Sequence, residues 1–160
     1  MEAGRPTREA FVAFVREVEP RLRIAVVAAR GPNLGLDAVQ ETLIWAWEHW
    51  DRVTRLSNPA GYLYRVAIRK ASRAGARRPV GLPAFSTDAT PWVEPALSPA
   101  LNAMSAMQRQ AVVLVSAYGY TQQEAANLLG IRRTTLQKHL ERGLARLRDA
   151  LGVNNDVHAP

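Results

Sequence analysis

Five prolines, Pro79, Pro83, Pro91, Pro95 and Pro99, fall within one short stretch with Gly81 among them. No helix persists through that spacing, because each ring removes a backbone donor and clashes with the preceding turn. The chain is thereby cut into an N-terminal segment, 1–78, and a C-terminal one, 98–151, joined by a linker over 79–97 and followed by a loose tail, 152–160. Fully extended, the proline-rich stretch spans roughly 70 Å at about 3.3 Å per residue, enough to let two halves sit on separate sites of one partner. Phe85 and Trp92 give it apolar side chains that can dock locally.

Both flanking segments read as helices, so the expected fold is all-α, with two small helical domains. Thr7 is a candidate cap for a first helix, in which Phe11, Phe14, Val15, Val18 and Leu22 recur at three- and four-residue steps. A turn is expected at Gly31-Pro32-Asn33 and Gly35, then a second helix from about Leu36 to Trp50 with Val39, Leu43, Ala46, Trp47 and Trp50 on its inner face. Asn58 can cap and Pro59 can open a third helix, reaching about Ala76. Leu63, Val66, Ala67, Lys70, Ala71 and Ala74 line one of its sides, and Arg65, Arg69, Arg73 and Arg77 step by four along another.

In the C-terminal segment, Ser98-Pro99 opens a short helix, and Ser105 with Gln108 forms a capping-box pattern for a helix from Ala106 to about Ala117, closed by Gly119. Thr121 with Glu124 repeats the pattern. Ala125, Ala126, Leu128 and Leu129 follow, then Gly130-Ile131 and a last helix from about Arg133 to Leu151. Small residues at a helix crossing, glycine at the turn and apolar residues at the packing positions are the signature of a helix-turn-helix. Leu136, Leu140, Leu144 and Leu147 form the seam of its second helix, which leaves Arg132, Arg133, Thr135, Gln137, Lys138, His139 and Arg142 to project. Arg and Lys pair with guanine edges, Gln with adenine, and Thr with phosphate or a thymine methyl. Arg146 and Arg148 lie farther along, where phosphate contact or solvation is expected.

Charge agrees with a polyanionic partner. There are 21 Lys plus Arg against 14 Asp plus Glu, a net charge of +7, and from Arg52 to Thr87 no acidic residue offsets Arg52, Arg55, Arg65, Arg69, Lys70, Arg73, Arg77 and Arg78. No carboxylate stands at i+3 or i+4 to pair with the arginines of the third helix, as a merely solvated face would provide. Tyr62, Tyr64 and Trp50 add aromatic surfaces suited to unstacked bases. The chain has no cysteine, so disulfides and thiolate metal sites are excluded. His49, His139 and His158 lack the spacing of a zinc site, and no cofactor or metal is expected. Residues 22–29 are apolar but far short of the roughly 20 needed to span a membrane. A soluble, cytoplasmic protein is the expectation.

Asp37-Ala-Val-Gln-Glu-Thr-Leu-Ile-Trp-Ala-Trp47 resembles the region 2 helix of the extracytoplasmic-function (group IV) sigma factors of bacterial RNA polymerase. Asn58-Pro-Ala-Gly-Tyr-Leu-Tyr-Arg-Val-Ala67 is similar to the segment that follows it. Met104-Ser-Ala-Met-Gln-Arg109 and the helix-turn-helix resemble region 4. The resemblance implies a non-enzymatic initiation subunit that directs core polymerase to promoters. Asp37, Gln40, Glu41, Trp45 and Glu48 would dock on the polymerase β′ clamp helices, with Leu43 and Trp47 in the core. Tyr62, Arg65, Arg69, Lys70, Arg73 and Arg77 would hold the melted −10 strand. Arg132, Arg133, Thr135, Gln137, Lys138, His139 and Arg142 would read the −35 duplex. The implied partners are core polymerase, through its β′ clamp helices and β flap, promoter DNA and an anti-sigma factor of the kind the family often has. The chain departs from the family pattern at Trp45, where arginine is usual, at Arg69, where asparagine is usual, and at Gln137-Lys138-His139, which replace a frequent Lys-Ser-Arg.

Three rival readings stand beside this one, among them a pure interaction protein that binds polymerase without directing initiation. Thr134-Thr-Leu-Gln-Lys-His-Leu140 also resembles the recognition helix of response-regulator effector domains, so a helix-turn-helix regulator of duplex operators is the alternative. The helical N-terminal segment lacks the α/β pattern and acidic pocket of a receiver. An enzyme is disfavoured because no phosphate-cradling glycine loop with lysine, His-Glu-x-x-His or Gly-x-Ser-x-Gly occurs.

Overall fold

The computed structural model describes residues 7–75 and 96–153, and every regular element among them is helical. Helix α1 runs Arg8–Arg30, and the Thr7 hydroxyl accepts from the Ala10 amide at 3.4 Å. Helix α2 is Pro32–Glu48, followed by one turn, α3, Trp50–Val53. Helix α4, Pro59–Gly75, opens where Asn58 accepts from the Gly61 amide at 2.9 Å. The C-terminal half holds α5, Leu97–Ala103, α6, Ala106–Val112, a π-helical turn at Val113–Ala117, α7, Gln122–Leu129, and α8, Arg133–Leu151.

The turn between α1 and α2 is tighter than the sequence suggests. Only Gly31, at φ 83°, leaves the helical region, and Pro32 starts α2 at once, where its missing N–H costs nothing. Gly35 is therefore helical. A Cβ there would lie 2.9 Å from the Val27 Cα, so this glycine lets α1 and α2 approach closely. Val18, Leu22, Ala25 and Val26 of α1 pack with Ala38, Val39 and Ala46 of α2 and Leu63, Ala67 and Ala71 of α4. Thr42 is fully buried among them, its hydroxyl donating to the Ala38 carbonyl at 2.7 Å. With that bond made, a hydroxyl is tolerated in the core.

The two halves form one body. The apolar cluster continues from α1 and α4 into Ala111, Val112 and Leu114, then to Ala125, Leu128, Leu129 and Leu136. Polar groups bridge the same boundary. Arg109, only 5% exposed, donates through Nε to the Ala28 carbonyl and through Nη2 to Ala29 at 3.3 Å. Its Nη1 reaches Leu101 and Met104 of its own half at 3.2 and 3.4 Å. The adjacent Gln110, 1% exposed, donates through Nε2 to the Ala25 carbonyl at 2.9 Å and the Tyr64 hydroxyl at 2.6 Å. At the far end, Asn58 donates to the Asn127 carbonyl at 2.7 Å. Burial lowers the Arg109 pKa, helped by neighbouring Arg30. The Tyr64 hydroxyl is raised by burial, although the Gln110 bond and Arg30 pull the other way.

Within the C-terminal half, α8 crosses α6 at Gly143, where a Cβ would come 2.6 Å from a Val112 methyl. Gly143→Leu is expected to lower the unfolding free energy by about 1–3 kcal/mol through overpacking. Urea melts of wild type and variant, followed by helical circular dichroism, check it.

Candidate nucleic-acid interface

The helix-turn-helix is built by local hydrogen bonds that its sequence specifies. The Thr121 hydroxyl accepts from the Glu124 amide at 3.1 Å, and Glu124 Oε2 accepts from the Thr121 amide at 2.8 Å. This reciprocal box opens α7. Gly130, at φ 68°, closes it in the left-handed conformation, and the Ile131 amide reaches back to the Ala126 carbonyl at 3.1 Å. Ser105 forms only half of the equivalent box. Its hydroxyl accepts from the Gln108 amide at 3.2 Å, but the Gln108 side-chain oxygen has no partner.

Leu136 and Leu140 bury the inner face of α8, with Leu144 and Leu147 partly buried behind them. The opposite face exposes Arg132, Arg133, Thr135, Gln137, Lys138 and Arg142, and half-buries His139. None of these cations forms an ion pair among the described residues, so their donors face solvent. Gln137 donates to Glu141 within the helix at 3.0 Å, which fixes its amide and leaves its carbonyl oxygen outward. Arg146 donates to the Ala103 carbonyl at 3.3 Å, so it ties α8 to α5.

A second cationic face lies on α4. Arg65, Arg69 and Arg73 are exposed and without acidic partners among the described residues, while Arg77 lies outside them. Lys70 is half-buried, its Nζ 3.5 Å from Glu41 of α2. Tyr62 is half-buried, with its ring centroid 5.8 Å from that of Trp45. Trp45 in turn stacks on His49 at 4.5 Å and 15°, and His49 Nδ1–H donates to the Trp45 carbonyl at 2.9 Å. Tyr64 and Trp50, read from the sequence as aromatic surface, are buried instead. Tyr64 serves the seam between the halves, and Trp50 packs on Phe11 and Phe14.

The outer face of α2 carries Asp37, Gln40, Glu41 and Glu48, all exposed. At its centre is Ile44, 60% exposed, a residue absent from the expected set. The signal was available: Ile44 stands four residues after Gln40 and three after Glu41, hence on their face. The two tryptophans reverse their expected places. Trp47, read as core, is 47% exposed and leans on Phe11 at 4.9 Å, whereas Trp45 is turned toward α4. Burial of Thr42 rotates the inner face of α2 toward α4 and carries Trp47 outward.

Residues 96–147 match the family model for sigma-70, region 4. The whole chain is similar in structure to the sigma factor RpoE from Bartonella quintana, solved in complex with the anti-sigma factor NepR, at 25% identity and TM-score 0.62, over 92% of this chain and 99% of that one. The chain is thus similar to the extracytoplasmic-function sigma factors, by its region 4 match and by its fold. CnrH, solved in complex with the cytosolic domain of CnrY, shares the fold at 21% identity and TM-score 0.59, over 93% of this chain and 92% of that one. No curated protein sequence matches the chain. No helix among the described residues is long and apolar enough to cross a membrane.

The capping box has a pH signature. Hydrogen bonds from the Thr121 amide and hydroxyl hold the Glu124 carboxyl below its usual 4.5. A depressed folded pKa contributes stability above the unfolded value, and that stability is lost as pH falls through the folded one. Wild-type melting temperature should therefore drop between neutral pH and pH about 3 more steeply than that of Glu124→Gln. Thermal denaturation across that range checks the difference.

Proposed function

We propose that this chain recruits bacterial core RNA polymerase to promoters that it recognises through two separate surfaces. The observation that carries the reading is the coexistence of a solvent-facing cationic recognition helix on a region 4 fold with a second arginine ridge on α4, unpaired among the described residues. One cationic surface would suffice for an operator-binding regulator. Two, beside a polar helix face with an apolar centre, fit a subunit that holds DNA at two places and polymerase at a third.

In this reading Arg132, Arg133, Thr135, Gln137, Lys138, His139 and Arg142 meet the −35 duplex in its major groove. Tyr62, Arg65, Arg69, Lys70, Arg73 and Arg77 meet the −10 strand after the duplex opens. Cations hold its phosphates and the Tyr62 ring offers a stacking face. Contacts that exist only with the opened strand draw the equilibrium toward melting, so no nucleotide hydrolysis is required. Binding, not catalysis, is the role, and it is exercised in the cytoplasm where polymerase works. The domain division 1–78 and 98–151 follows these two DNA surfaces.

Asp37, Gln40, Glu41 and Glu48 dock on the β′ clamp helices, with Ile44 as the apolar anchor they surround, and the C-terminal half meets the β flap. A desolvated apolar residue inside a polar rim is the usual anatomy of a binding hot spot. Trp45 contributes by bracing Tyr62. The structural relatives are held by NepR and by CnrY, which supports an anti-sigma partner here.

Two measurements test the assignment. Ile44→Asp should weaken core-polymerase binding at least tenfold with unchanged helical content, read by fluorescence anisotropy of the labelled chain; equal affinity removes α2 from the interface. Lys138→Ala should cost about 1–3 kcal/mol on promoters with the preferred upstream sequence and less on scrambled DNA if it reads a base. Polymerase-dependent footprinting on both DNAs gives the ratio, and an equal loss assigns Lys138 to phosphate.

A further inference from the structure

An exposed side chain ordinarily keeps its rotamer freedom, and holding it in one pose costs conformational entropy. His49 is exposed at the end of α2 and yet fixed. The Trp45 carbonyl accepts from it twice, from the backbone amide at 3.0 Å and from Nδ1–H at 2.9 Å. The Trp45 indole stacks on the imidazole, 4.5 Å away at 15°. Tyr62 of α4 braces Trp45 in turn, at 5.8 Å, so three rings from two helices form one ladder. Trp45 is also one of the places where the chain departs from the family pattern, which makes the ladder a feature of this chain's own sequence.

The bond to a carbonyl fixes the tautomer. A carbonyl only accepts, so Nδ1 carries the proton and, in the neutral ring, Nε2 is left as a bare acceptor. An unconstrained histidine in water favours the opposite arrangement, with the proton on Nε2. Among the described residues no donor meets Nε2, which lies on the far edge of an exposed ring. Glu48 and Asp51, both exposed, flank His49 in sequence. Carboxylates beside an acceptor favour a partner that brings an amino hydrogen and disfavour one that brings a phosphate or keto oxygen.

On a DNA strand such hydrogens belong to the bases. Cytosine carries them at N4 and adenine at N6, where thymine and guanine have carbonyl oxygens; the amino group of guanine is on its minor-groove side. A base out of its stack can be read at this edge. The ladder connects His49 to Tyr62, which lies in the surface proposed for the melted strand. One turn beyond His49, the Arg52 amide donates to the His49 carbonyl at 2.9 Å, and the Arg52 side chain is exposed with no ion pair among the described residues. Arg52 is thus placed to hold a flanking phosphate while His49 meets a base.

Resting on the promoter-binding reading, we propose that His49 is a base-reading residue: its Nε2 accepts a hydrogen from the exocyclic amino group of one unstacked cytosine or adenine of the melted strand, and Trp45 positions it by fixing the plane and tautomer of the ring. Preorganisation of this kind spares the cost of ordering the side chain on binding. The arginines of α4 hold the strand through its phosphates, without regard to sequence. His49 gives one position of that strand a preference.

Two measurements test the assignment. The chain has three histidines, so nitrogen NMR of the free, isotope-labelled chain resolves the His49 ring, assigned by its loss in His49→Ala. The neutral ring should carry its proton on Nδ1, and Trp45→Leu should give a mixture of tautomers; a wild-type ring protonated on Nε2 overturns the acceptor, and an unchanged ring in Trp45→Leu overturns the positioning role. The second measurement uses core polymerase with the full chain and forked DNA whose single-stranded −10 segment is randomised, the retained strands being sequenced. Wild type should enrich cytosine or adenine over thymine and guanine at one position by about fivefold, the worth of one hydrogen bond, and His49→Ala should flatten that position alone. Replacing the preferred base there by its analogue without the amino group, 2-pyrimidinone or purine, should cost wild type the same factor and His49→Ala nothing. Unchanged preferences in His49→Ala, or an even loss at every position, overturn the base-reading role alone. Retention of no forked DNA above that held by core polymerase without the chain overturns the promoter-binding reading and the base site with it.

Discussion

The architecture turns on the C-terminal end of α1. A helix end buried without partners for its carbonyls is unstable, and here the partners come from across the chain, through Arg109 and Gln110. A cation at that end also complements the helix dipole. The geometry ties α6 to α1 at a fixed height, and because α8 packs on α6 through Gly143, the position of the recognition helix follows in part from that buried contact. Arg109 further holds Leu101 and Met104, so the short α5 is placed by the same guanidinium.

Apolar packing fills what this polar frame outlines. The buried cluster passes without a break from Val18 and Leu22 through Leu63 to Leu114 and Leu136, and small residues set the spacing: Gly35 between α1 and α2, Gly143 between α6 and α8, Gly61 at the seam. Arginines on α4 and α8 stay outside this core because desolvating an unpaired guanidinium costs far more than its methylene stem returns. The two cationic surfaces, like the outer face of α2, lie on sides of the helices that packing leaves free.

Local features were legible in the sequence because they depend on neighbours in the chain. Thr7, Asn58-Pro59, Ser105 and Thr121 mark helix starts that the structure places at those residues, and the helix-turn-helix could be read from its capping box, its glycine and its leucines. What the sequence concealed depends on distant contacts. Arg109 and Gln110 look like ordinary outer residues of a helix, and nothing nearby reveals that α1 supplies their acceptors. Trp45 and Trp47 were exchanged for a related reason: on a helix as apolar as α2, periodicity defines the buried side poorly, and Thr42 occupies its centre only because its hydroxyl can bond back to Ala38. Ile44 was missed because an exposed isoleucine gains meaning only from the polar residues ringed around it.

Two halves that bear separate cationic surfaces, as the proposed function needs, face conflicting demands. Separate halves would each expose the apolar face of α1 or α6 while free, a patch of the kind that invites aggregation. A fully apolar seam would hide that face and then resist opening. The boundary found here combines a continuous apolar cluster with Arg109 and Gln110 set into it. Ala25, Ala28 and Ala29 leave room for these side chains, whose hydrogen bonds, worth about 0.5–1.5 kcal/mol net each, add to the apolar cluster that crosses the same boundary. The small side chains at the end of α1 are what lets Arg109 and Gln110 reach the carbonyls they cap.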